Sequence, residues 1–186
     1  DFVVGDAACW DGSRQGELWQ PDMIMSRHGV MFFADPVQAF SNLHKNASDH
    51  AHLVFSCFRT RKDNIWASAV ASLLPPGSGP DPDDNAPGPF AFARQDYVRT
   101  ILSRSGWKNI TFEPIDYFHV AGRGKNALDD AIAFYSSIGP AAAALRMLNA
   151  PERNLFRNNL RKFLRSYETE NEVALPAAAW IVSCSS

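Results

Sequence analysis

SRHGVMFFADPVQAFSNL, residues 26–43, joins the end of one element to the start of another. Before it stands Met23-Ile24-Met25, a short apolar run that reads as a buried strand. The run stops at Ser26-Arg27-His28-Gly29, a polar turn. Asp35-Pro36 then starts a helix, with Asp at the N-cap and Pro in the first turn. Val37, Phe40 and Leu43 give that helix an apolar stripe. Strand, tight connection and helix in this order make one half of a strand–helix–strand unit.

The pattern continues on both sides. Upstream, Phe2-Val3-Val4 reads as a short strand ending in Gly5-Asp6-Ala7. Downstream, Leu53 to Phe58 is a further strand, and 59–74 predicts a short helix containing Trp66. PPGSGPDPDDNAPGP, residues 75–89, suits no regular element and predicts a long mobile loop of the kind that forms lids or binding loops. Tyr97, Val98, Ile101 and Leu102 recur at helical spacing, and Gly106 ends that helix. ITFEPIDYFHV, residues 110–120, predicts a long strand kinked at Pro114. Helices follow at 127–137, 140–149 and 152–168, and a strand near 177–184 closes the chain. Alternation of this kind predicts an α/β fold with a mostly parallel sheet. Such sheets bind ligands at the carboxyl ends of their strands, where Asp6, Ser26, Arg27 and His28 all fall.

Composition narrows the choice of function. The chain has 186 residues, a hydrophobic fraction of 46%, 13 Phe and a net charge of −2, which suits one domain with a real core. No basic excess points to nucleic acid, and no apolar run is long enough for a membrane-spanning helix. Cys9, Cys57 and Cys184 are widely spaced and odd in number, which predicts a reduced, cytoplasmic setting rather than a disulfide or zinc framework. The sequons Asn46-Ala47-Ser48 and Asn109-Ile110-Thr111 then carry little weight.

Ser26, Arg27, Gly29, Met31-Phe32-Phe33, Asp35-Pro36 and Ala39, Phe40, Asn42, Leu43 resemble the stretch after the fourth strand of class I S-adenosylmethionine-dependent methyltransferases, in the branch typified by ubiquinone and menaquinone biosynthesis. PGPFAFA at 87–93, GW at 106–107, IGPAAAAL at 138–145 and LPAAAWIV at 175–182 extend the resemblance along nearly the whole chain. It implies a Rossmann-like sheet of order 3-2-1-4-5-7-6, with the terminal strand antiparallel between its neighbours and a helical insertion at 124–172. It implies S-adenosylmethionine as cofactor and a small-molecule methyl acceptor as partner, with no metal. No GxGxG occurs in the sequence, and GRG at 122–124 follows the wrong strand. The first strand with its Gly-rich loop, and the second strand with its acid, are therefore expected upstream of residue 1, in roughly 60 residues if each unit takes about 30. On that expectation 1–186 is one partial domain, the C-terminal part of the enzyme, and is inactive alone. NASDHAHL, residues 46–53, replaces the family's Pro-Gly-Gly turn.

The resemblance assigns Asp6 and Ala7 to the adenine, and Ser26, Arg27 and His28 to the methionine end of the cofactor. His28 is either a general base or a wall of the pocket. Asp6 also suits a turn, and Arg27 a surface ion pair. Phe33, Trp66, Phe90 and Phe92 are candidates for the acceptor pocket, or else plain core. Arg153, Arg157, Arg161, Lys162 and Arg165 make one helix basic, either a solvated face or a surface for anions. His44, His50 and His52 lie near one turn without a firm ligand set. A different class stays open: a non-catalytic methyltransferase-like module serving interaction or structure.

Overall fold

A computed structural model describes residues 4–14, 17–77, 86–138 and 140–186. Two short strands, β1 (Ser13–Arg14) and β2 (Glu17–Leu18), pair antiparallel with each other. The main sheet contains β3 (Met23–Arg27), β4 (His52–Phe58), β5 (Lys108–Arg123) and β6 (Glu172–Ser185) in the order β3-β4-β6-β5. The helices are α1 (Pro36–Lys45), α2 (Ile65–Ser72), α3 (Gln95–Arg104), α4 (Ala127–Ser137), α5 (Pro140–Met147) and α6 (Ala150–Leu164).

Local chemistry explains the boundaries. Asp35 caps α1 by accepting from the Gln38 N–H at 2.9 Å, and Pro36 occupies the first turn. Gly106, at φ +94°, follows the C-cap of α3; a side chain there would press on the His44 ring. Asn149 and Glu152 form a reciprocal capping box on α6. The glycines of GRG serve the fold: Gly124 turns the chain at φ +74°, and a Cβ on buried Gly122 would collide with the Ala127 backbone.

The sheet is α/β but mixed, not mostly parallel. β3 and β4 pair parallel, from Met23↔His52 to Arg27↔Ser56. β4 and β6 pair antiparallel, from His52↔Ser185 to Phe58↔Ala179. Asn109 donates to Ser185 Oγ at 3.0 Å and Thr111 to the Ser183 carbonyl at 3.4 Å. β6 therefore retreats as β5 advances, and it runs antiparallel to both neighbours. The expected slot for the terminal strand is where it lies. The parallel expectation failed because β6 returns into the sheet without the crossover that parallel pairing requires.

Three other expectations change. β5 runs unbroken through Pro114, which is exposed on an edge strand, where a missing N–H leaves no ladder bond unmade. β6 begins at Glu172, ahead of the expected start, and Pro176 within it is also exposed. Residues 2 and 3 of the expected first strand lie outside the described residues; Val4 is exposed and outside any strand. Residues 78–85 of the long loop also lie outside them.

The chain divides into two units. One contains 1–60, 84–115 and 179–186; the other contains 61–83 and 116–178. The core of the first gathers Phe40, Leu53, Phe55, Phe92, Leu102 and Trp107, each at most 2% exposed. Burying a side chain of this size contributes roughly 1.5–3 kcal/mol. The Trp107 indole N–H donates to the Phe40 carbonyl at 3.0 Å, so even its polar atom is satisfied. In the second unit the buried side chains include Phe156, Leu160 and Leu164 of α6, spaced by four on one face. No described helix is long and apolar enough to cross a membrane.

Candidate functional site

Parallel pairing sets the carboxyl ends of β3 and β4 side by side, and the chain turns sharply there. His28 follows β3 at φ +52°, a left-handed conformation that costs a non-glycine residue about 1 kcal/mol or more. Its N–H is shared between the Ser56 carbonyl (3.1 Å) and Ser56 Oγ (3.3 Å), which ties the turn to β4. The imidazole lies flat on the Phe58 ring, with centroids 4.2 Å apart and planes 16° from parallel. Gly29 comes next, and a Cβ on it would sit 3.0 Å from Ser26 Oγ. A 3-10 turn, Val30–Phe32, then delivers the chain to α1.

The 86–93 segment borders this turn. Gly88 donates to the Met31 carbonyl at 3.1 Å, and Phe90 packs on Phe58 with centroids 5.9 Å apart. His28, Phe58 and Phe90 thus form a continuous row of rings. Ser26 and His28 are half-buried, and Arg27 is exposed. The strand end carries a hydroxyl and an imidazole on half-buried residues and a cation on the exposed face.

The other sequence candidates have the following surroundings. Asp6 and Ala7 are exposed. Asp6 caps its own turn, accepting from Ala8 N–H at 2.9 Å, while its carbonyl accepts from Cys9. Asn42 of α1 donates to the Ala7 carbonyl at 3.4 Å and, with Asn46, to the Trp10 carbonyl, so this segment lies along α1. Phe33 is half-buried against Phe40. Phe92 is sealed in the core, where its carbonyl accepts from the Cys57 thiol. Burial holds that thiol neutral, with its pKa pushed up to about 12. Cys184 is also buried, and Cys9 is exposed. Among the described residues no cluster of three or more His, Cys, Asp or Glu could hold a metal. His44 packs edge-on against Trp107 instead.

Trp66 belongs to the second unit and has partners that the sequence reading missed. Its ring stacks on His119 of β5, with centroids 5.6 Å apart. His119 Nδ1 meets the Tyr135 hydroxyl of α4 at 3.2 Å. Burial lowers the His119 pKa below its usual value, and it also raises that of Tyr135. The available signal was period-two spacing: Tyr117 and His119 both point inward on β5.

No protein-family model matches the chain, and no curated protein matches it in sequence. Among solved structures it resembles a Bacillus halodurans protein provisionally described as a methyltransferase, with TM-score 0.48, 10% identity and coverage of 100% of this chain and 76% of that one. It also resembles Haemonchus contortus phosphoethanolamine N-methyltransferase 2, solved with phosphomonomethylethanolamine and S-adenosylhomocysteine: TM-score 0.42, 10% identity, 97% of this chain and 36% of that one. A cyclopropane-fatty-acyl-phospholipid synthase-like protein of Lactobacillus casei is similar with TM-score 0.36 and 18% identity, over 90% of this chain and 57% of that one.

Proposed function

We propose that this chain supplies part of an S-adenosylmethionine site and serves methyl transfer to a small-molecule acceptor. The observation that carries the reading is the strand order. β3-β4-β6-β5, with β6 antiparallel between its neighbours, corresponds to the 4-5-7-6 half of the sheet that the motifs of residues 26–43 imply. The left-handed turn at His28 stands where such a sheet receives its ligand.

The residues present suit one end of the cofactor. Exposed Arg27 offers a cation to a carboxylate, while Ser26 carries its hydroxyl on the opposite, half-buried face of β3. The cofactor, when bound, brings an electrophilic methyl group on a sulfonium. His28 is held flat on Phe58 and walls the pocket; its fixed ring orients what lies against it. Asp6 fits less fully, because one carboxylate oxygen already serves its own turn. The helices of 124–172 form an insertion between the last two strands, and Phe90, packed on Phe58, is the aromatic candidate that borders the His28 turn. Three unpaired cysteines suit a reducing compartment.

Equilibrium dialysis with radiolabelled S-adenosylmethionine tests the reading. The full chain should show saturable binding that Arg27→Ala weakens at least fivefold. Binding that Arg27→Ala leaves unchanged would overturn the reading.

A further inference from the structure

A groove of about 600 Å³ runs between α4 and α6, wholly within the second unit. Asp129, in the first turn of α4, pairs with Arg161, near the end of α6, at 2.5 Å, so the two helices are antiparallel. Asn154, Arg157, Asn158 and Arg161 fall at i, i+3, i+4 and i+7 and make one polar face lining the groove. The apolar stripe of α6, Phe156, Leu160 and Leu164, is buried separately, so the polar face is not needed for packing.

Charge in the groove is unbalanced. Asp129 is committed to Arg161. Glu152, the only acid on α6, is committed to the capping box. On the α4 side the groove is otherwise lined by Ile132, Ala133, Ser136 and Ser137, none of which carries a charge. Among the described residues the Arg157 guanidinium makes no ion pair or hydrogen bond, and an Asn amide lies on each side of it. A planar fork with neighbouring amide donors matches the geometry of an oxyanion. The volume falls in the range of small-molecule sites, larger than a bare ion requires.

We propose that this groove is a binding site for a small organic oxyanion, a phosphate monoester or a carboxylate, held by Arg157 between Asn154 and Asn158. The site stands independently of the β3 strand end.

Amide NMR of the full chain, titrated at constant ionic strength, tests it. The probes are inorganic phosphate, glycerol 3-phosphate and succinate, with sodium chloride as the reference. Saturable shifts confined to residues 129–137 and 154–161 are expected. The tighter of the glycerol 3-phosphate and succinate arms identifies the anion class. Arg157→Gln should weaken that binding at least tenfold, and Asn158→Asp, which sets a carboxylate beside the guanidinium, should weaken it comparably. Asn159→Gln, exposed and outside the groove, should leave it unchanged. Shifts matched by sodium chloride, or unaltered binding by both groove variants, would overturn the proposal.

Discussion

Replacing Asn64 by Ala should destabilise the protein far more than the loss of one polar side chain suggests. Asn64 is fully buried at the start of α2. Its amide donates to the Ala178 carbonyl at 3.0 Å, and its oxygen accepts from the Ala178 N–H and the Trp66 indole, both at 3.0 Å. β4 stops pairing at Phe58↔Ala179, so Ala178 is the next residue of β6 whose backbone needs a partner. The Asn64 side chain serves it as a strand would. Alanine removes all three bonds and orphans one carbonyl and two N–H groups. Each buried orphan costs about 1–3 kcal/mol. Partial rescue by water brings the sum to about 4 kcal/mol, and at about 2–4 °C per kcal/mol for a chain of this size the Tm should fall by about 8–16 °C. Circular dichroism melts and urea unfolding of Asn64→Ala, beside exposed Asn159→Ala as control, measure this. A Tm loss of under about 3 °C, or one equal to the control, would show that the Asn64 side chain does not hold Ala178 in this way.

Gly122→Ala should be worse tolerated than alanine at any exposed glycine, because its Cβ would meet backbone atoms of Ala127 that cannot swing away; a loss of about 3 kcal/mol or more, or insolubility, is expected in the same melts. His28→Val should cost about 1–3 kcal/mol because a β-branched residue resists φ +52°, whereas His28→Asn should cost less than His28→Val. Acid should weaken the protein through His119. Its folded pKa is depressed by burial, so its contribution is full above the ordinary value of 6.5 and is lost as pH falls below it. Tm measured between pH 7.5 and 5.5 should therefore fall more steeply for the wild type than for His119→Phe, and equal slopes would count against the assignment.

Much of the fold was legible because its boundaries are written in local chemistry. Asp35-Pro36 and Gly106 fixed their helix ends from side-chain type alone, and Ala127–Ser137 matched its expected span residue for residue. What misled was proline. Pro114 suggested a kink, yet it is exposed, and whether a missing N–H matters depends on which edge of a strand it faces. Strand direction was not legible from the alternation of elements; only the resemblance implied that the terminal strand is antiparallel. The position of Ser26, Arg27 and His28 at a strand end was legible because an apolar run stops at a polar turn there. The Asn64–Ala178 clamp and the His119–Tyr135 contact were not, since each joins residues distant in sequence. The basic character of 153–165 was visible, but the groove facing Arg157 depends on how α4 lies against α6.

Amide NMR of the full chain titrated with S-adenosylhomocysteine tests whether the carboxyl end of β3 forms part of an S-adenosylmethionine site. A hydrogen bond contributes about 1 kcal/mol net and micromolar binding needs about 8 kcal/mol, so the few donors described here should saturate only in the high-micromolar to millimolar range. The shifts should centre on residues 26–29 and 56–58, with a response at Ala7. Shifts centred elsewhere, or none at about 5 mM, an order-of-magnitude upper bound on such binding, would rule out a cofactor contact at the β3 end.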